Sequence, residues 1–80
     1  MPTVEQLREY IERGMQCDEL QVSGDGTHFQ ALIVSAEFRG KNRVQRHQLV
    51  YRALGERMRE EVHALSMLTL TPEERAAGPK

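Results

Sequence analysis

The chain has one cysteine, Cys17, and no tryptophan. A single thiol excludes an internal disulfide and any all-thiolate metal site built from one chain. Aromatic residues make up only 5% of the sequence, and the longest apolar run extends from Ala31 to Val34. Such a run is far too short to cross a bilayer, which takes about 20 residues. The opening Met1-Pro2-Thr3-Val4-Glu5 has neither a basic start nor an apolar stretch, so it does not read as a secretory signal. A soluble, cytoplasmic protein of bacterial type is expected. With a formal net charge of −1, nothing global draws the chain to nucleic acid or to an anionic membrane.

One further absence is local. No acidic residue lies between Glu37 and Glu56, while Arg39, Lys41, Arg43, Arg46 and Arg52 all do. That is a basic patch on a near-neutral protein. At 80 residues the chain makes one domain, 1–80, with a flexible tail from 76. Its core is small, so a third layer or a large internal cavity is not expected.

What is present orders itself as α-β-β-α-β-α. Thr3-Val4-Glu5-Gln6 is a capping box, and Val4, Leu7, Ile11 and Met15 recur at helical spacing up to Gly14, which predicts a helix over 3–14. Leu20-Gln21-Val22 and the apolar stretch from His28 to Ser35 flank Gly24-Asp25-Gly26, a turn signal that makes 19–36 a hairpin. Phe38 to Asn42 reads as a polar loop. A second helix is expected from Arg43 to about Arg59, weakened or broken at Gly55, with His47, Val50, Tyr51, Leu54 and Met58 on one face. His63 to Leu70 reads as a third strand. Thr71-Pro72-Glu73-Glu74 opens a short last helix with Thr as cap and Pro at its first position. The second strand, second helix and third strand make a right-handed crossover between parallel neighbours. The result is a small α/β (α+β) domain with a three-stranded mixed sheet. The first two helices cover one face, and the other face is left partly open.

His28 and His63 stand at the starts of the two parallel strands, at one end of the sheet. Strands lie about 4.8 Å apart, so both imidazoles can reach one metal if the register allows. The alternative is that each is a surface or capping residue. Two imidazoles are only half of a metal site, because a structural zinc takes four ligands. A His pair also replaces a Cys pair on one iron of a 2Fe–2S cluster. His47 lies within the apolar stripe and reads as a half-buried structural residue. Cys17 reads as a small residue at the junction of the first helix and first strand. No catalytic carboxylate pair, nucleophile–base motif or phosphate-cradling loop stands out, so the chain is not expected to be an enzyme.

These residues also resemble a known family. Phe38-x-Gly40, Arg43-Val44-x-Arg46-His47-x-x-Val50-Tyr51, Val62-His63-Ala64-Leu65-Ser66 and Thr71-Pro72-x-Glu74 look like the signature of the BolA family. Ser23-Gly24-Asp25-Gly26-Thr27-His28-Phe29 is similar to the hairpin of its short bacterial IbaG (YrbA) branch. The match runs in order over nearly the whole chain. The resemblance implies a fold like the class II KH domain and a monothiol glutaredoxin partner that shares a 2Fe–2S cluster. The glutaredoxin and its glutathione would give the thiolates. His63 and a hairpin-loop residue, here most naturally His28, would give the rest. No cofactor is expected in the isolated chain.

The family is also reputed to bind DNA and to regulate transcription in stress responses. The Gly-x-x-Gly loop of KH domains clamps a nucleic-acid backbone. The matching loop here, Gly40-Lys41-Asn42-Arg43, lacks the second glycine. The alternative function is therefore a DNA-binding regulator using Arg39, Lys41, Arg43 and Arg46. A third reading is a weak homodimer of the metal-free chain through the open sheet face.

Overall fold

The computed structural model describes residues 2–58 and 64–78. Its elements follow the expected order: α1 (Val4–Gly14), β1 (Glu19–Gly24), β2 (Phe29–Val34), α2 (Arg43–Leu54), β3 (Leu65–Leu70) and α3 (Pro72–Ala76). The sheet runs β1-β2-β3, with β1 and β2 antiparallel and β2 and β3 parallel. Position 63, expected to start the third strand, lies outside the described residues, and β3 begins at Leu65.

The sheet buries one face under α1 and α2. Phe29, Ala31 and Ile33 alternate on that side of β2, and all are buried, as a strand's two-residue period requires. Leu7 and Ile11 of α1 and Val50 and Leu54 of α2 close the core from above. At the C-terminal end of α1 the two helices come into direct contact. A β-carbon built on Gly14 would lie 2.6 Å from the Ala53 carbonyl oxygen, so only glycine lets the backbones approach this closely. The glycine serves helix packing as well as marking the helix end.

Two expectations change. Phe38, placed by its neighbours in a polar loop, ends a 3-10 turn (Ala36–Phe38) and is completely buried. Ser35 caps that turn: its hydroxyl donates to the Gln16 carbonyl at 2.6 Å and accepts from the Glu37 amide at 3.1 Å. The second helix also ends short of the expected Arg59, at the Gly55 where the sequence predicted that it would weaken or break. Gly55, at φ +64°, caps it after Leu54, and the chain continues as a 3-10 turn (Gly55–Met58). Glycine takes a positive φ without steric cost, which lets the chain leave the helix here.

At its other end α2 starts with a second capping box. The Asn42 side chain accepts from the Gln45 amide, and Gln45 accepts from the Asn42 amide, both at 2.9 Å. The open face of the sheet carries Leu68, which is 58% exposed. Beside it, Leu32, Leu70, Ala77 and Gly78 line a shallow groove of about 600 Å³. No helix among the described residues is long and apolar enough to cross a membrane.

Candidate functional site

His28 is the last residue of the hairpin loop, and that loop is built around one carboxylate. Asp25 Oδ1 accepts from the Thr27 amide at 3.0 Å, the Thr27 hydroxyl at 2.9 Å and the His28 amide at 2.9 Å. The Asp25 amide in turn donates to the His28 carbonyl at 3.2 Å. The His28 amide, followed by the amide and hydroxyl of Thr27, holds the Asp25 carboxyl down at about 2. Gly26 takes φ +97° at the loop tip. A β-carbon on Gly24 would strike the His28 carbonyl oxygen at 2.5 Å, so glycine is needed for the two arms to close.

This loop also sets the imidazole. His28 is exposed, and its Nδ1 lies 3.3 Å from the Thr27 hydroxyl oxygen. Thr27 already donates its only hydroxyl proton to ionised Asp25, so toward His28 it can only accept. In the tautomer with its proton on Nδ1 the ring can donate to that hydroxyl, which would leave the Nε2 lone pair unengaged. A ring nitrogen fixed in this way by the hydrogen bond of its partner is the usual arrangement of a metal-binding histidine.

The parallel pairing brings a second segment to the same place. Phe29 is opposite Leu65, so Ala64, which directly follows His63 in sequence, enters the sheet at the His28 end. His63 itself lies outside the described residues. Cys17 is at the other end, because Glu19 at the start of β1 pairs with Val34 at the end of β2. Six strand residues at about 3.3 Å each put Cys17 about 20 Å from the hairpin tip. Burial, then the carboxylates of Glu37, Glu12 and Asp18, push its thiol up to about 11. It stays protonated at neutral pH, and it cannot share a metal with His28. Among the described residues no group of three or more His, Cys, Asp or Glu side chains is placed to hold a metal ion.

His47 is half-buried on α2, as the apolar stripe implied. Burial, then the nearby Arg43 charge, lowers its pKa from the ordinary histidine value. The basic patch divides in two. Arg39 donates from Nε to Glu73 at 3.0 Å, and Arg46 pairs with Glu74 at 2.7 Å. Both carboxylates are on α3, 34 and 28 residues further along the chain, a distance at which sequence spacing gives no warning. Lys41 and Arg43 are exposed and make no ion pair among the described residues.

Comparison with known proteins gives one consistent result. A family model described as BolA-like protein matches residues 10–74. The acid stress protein IbaG of Escherichia coli strain K12 is 36% identical over 76 residues, covering 94% of this chain and 90% of that protein. The DNA-binding transcriptional regulator BolA of Haemophilus influenzae is 45% identical over 51 residues, which are 64% of this chain and half of that protein. A BolA homologue from Coxiella burnetii superimposes with a TM-score of 0.82 at 39% identity, covering 95% of this chain and 99% of the other.

Proposed function

The chain belongs to the BolA family, and from that premise we propose that it is an adaptor that binds a monothiol glutaredoxin and completes a shared 2Fe–2S cluster through His28 and His63. The observation that carries the reading is the Asp25–Thr27–His28 relay, which holds an exposed imidazole at the end of the sheet that Ala64 enters. The donor set fits such a cluster. Imidazole binds iron well, and the one cysteine is held as a thiol at the far end of the sheet, so the thiolates must come from outside. The cluster would supply the iron chemistry. The protein's own part is to present two imidazoles and a docking surface, in cluster trafficking or iron and stress regulation.

The test is co-expression with a monothiol glutaredoxin, followed by visible absorption and circular dichroism of the purified complex. His63→Ala should abolish the cluster spectrum of the heterodimer or replace it with that of the glutaredoxin alone. His28→Ala should alter the spectrum and make the cluster more labile. A complex whose spectrum ignores both substitutions removes the histidines from the site.

A DNA-binding regulator is the second reading, supported by the name of the H. influenzae relative. Arg39 and Arg46 are engaged by Glu73 and Glu74, so two cations, Lys41 and Arg43, remain to meet phosphates. Each phosphate neutralised contributes about −0.9 to the slope of log K against log salt, so that slope should be about −2. A value twice as steep means that the α3 ion pairs open on binding. No binding at low salt ends this reading.

A further inference from the structure

Among the described residues the outer edge of β3 meets no other strand, since the sheet order β1-β2-β3 ends there. Backbone directions along it follow from two hydrogen bonds. The Leu70 carbonyl accepts from the Ser35 amide, on the β2 side, while the Thr69 carbonyl accepts from Arg46 Nη1 at 3.1 Å. Carbonyls alternate along a strand, so the backbone groups of Met67 and Thr69 point outward. Arg46 caps the Thr69 carbonyl. The Met67 amide and carbonyl and the Thr69 amide have no hydrogen-bond partner among the described residues. An open row of this kind is a template for another extended chain.

The two sides of this edge differ in chemistry. On the helix side, Lys41, Arg43, His47 and Met67 line a groove of about 340 Å³ between the start of α2 and β3. On the other side lies Leu68, more than half exposed. Side chains of an added strand would alternate between these sides. One set would sit by Lys41 and Arg43, and the other against Leu68.

We propose that the β3 edge is a docking site for an extended segment of a partner protein with alternating acidic and apolar residues, which adds a fourth strand to the sheet. Its acidic side chains pair with Lys41 and Arg43, its apolar ones cover Leu68, and its backbone bonds to Met67 and Thr69. Main-chain bonds give such augmentation its affinity, and alternate side-chain sites give it specificity. The charge argument decides for an acidic peptide over a nucleic acid. Two cations make a short electrostatic track, and no aromatic side chain lines the groove to stack a base. The proposal goes beyond the cluster reading and does not depend on either histidine.

The experiment is titration of the full-length 15N-labelled chain with the acetylated, amidated peptide Val-Glu-Val-Glu-Val, its Val-Lys-Val-Lys-Val counterpart, and an eight-nucleotide oligothymidylate. The glutamate peptide should move the Met67 and Thr69 amide resonances most and slow their hydrogen exchange. Lys41→Glu with Arg43→Glu, both at exposed positions, should weaken that binding at least tenfold, and the lysine peptide should leave the spectrum unchanged. Equal binding of the two peptides, shifts centred on Leu32 and Leu70 in place of the edge, or no shift at millimolar peptide overturns the proposal. Shifts from the oligonucleotide with a silent peptide overturn it too, and give the groove to nucleic acid. His63→Ala should not change the peptide titration, so failure of the cluster reading and failure of this one are read separately.

Discussion

Phe38→Ala should lower the unfolding free energy by about 3–5 kcal/mol, the usual loss when a fully buried phenylalanine is truncated. The expected loss is large because the ring is completely inaccessible and belongs to the central core cluster. Domain stability runs at about 0.05–0.15 kcal/mol per residue, so a chain of this size holds only about 4–12 kcal/mol in all. The variant should therefore be partly unfolded near body temperature. The ring also supports the site above it, since the Arg46 guanidinium lies 5.9 Å from its centroid. Removing the ring takes away one of the contacts that aim Arg46 at Thr69 and Glu74. Urea unfolding followed by far-UV circular dichroism measures the change. Phe38→Leu should recover most of it, because the cavity is smaller. A loss below about 1 kcal/mol would mean that the 3-10 turn collapses onto the vacated space and that the ring is not a core element.

Phe38 also marks where sequence reading reaches its limit. It is followed by Arg39, Gly40, Lys41 and Asn42, and no periodicity identifies a lone aromatic in such company. Only the return of β2 into the 3-10 turn places it under α2. The signals that were legible are local ones. The boxes at Thr3 and Thr71 satisfy helix amides within three residues, and the alternation of Phe29, Ala31 and Ile33 needs only the pleat. The same logic applies to Asn42 and Gln45, whose spacing matches that of Thr3 and Gln6, so this box was available in the sequence. Gly14 was half legible. Its position at the helix end is a sequence fact, but its contact with Ala53 depends on how two helices cross. Nothing local announces that Arg39 and Arg46 are engaged by Glu73 and Glu74, since those partners arrive only through the crossover. The candidate site is the reverse case. Asp25, Thr27 and His28 are neighbours in sequence, and an Asp three residues before a His across a glycine turn already contains the relay.

Arg46→Met is expected to cost about 2 kcal/mol, the value of hydrogen bonds from a charged donor whose partners are then left partly buried and unpaired. The Arg46 side chain is only 14% exposed. It donates from Nε to the Lys41 carbonyl at 2.9 Å, and from Nη1 to the Thr69 carbonyl at 3.1 Å and the Glu74 carboxylate at 2.7 Å. One guanidinium thus ties the loop before α2, the edge of β3 and the short α3 together. Helix α3 has no buried residue of its own, so its position depends on such ties. Methionine keeps much of the apolar stem and deletes the bonds. The pH dependence identifies the Glu74 share. Its hydrogen bond with Arg46, then the Thr71 amide, holds the Glu74 carboxyl at about 2, below its ordinary 4.5. A carboxyl depressed in the folded state stabilises it above the unfolded-state value, and that stabilisation is lost as pH falls toward the folded one. The stability gap between wild type and Arg46→Met should accordingly be full at neutral pH and narrow between about pH 4.5 and 2. Urea midpoints of both proteins measured across that range test it. A gap that stays constant on acidification would assign the effect of Arg46 to the Lys41 and Thr69 carbonyls alone and remove Glu74 from the clasp.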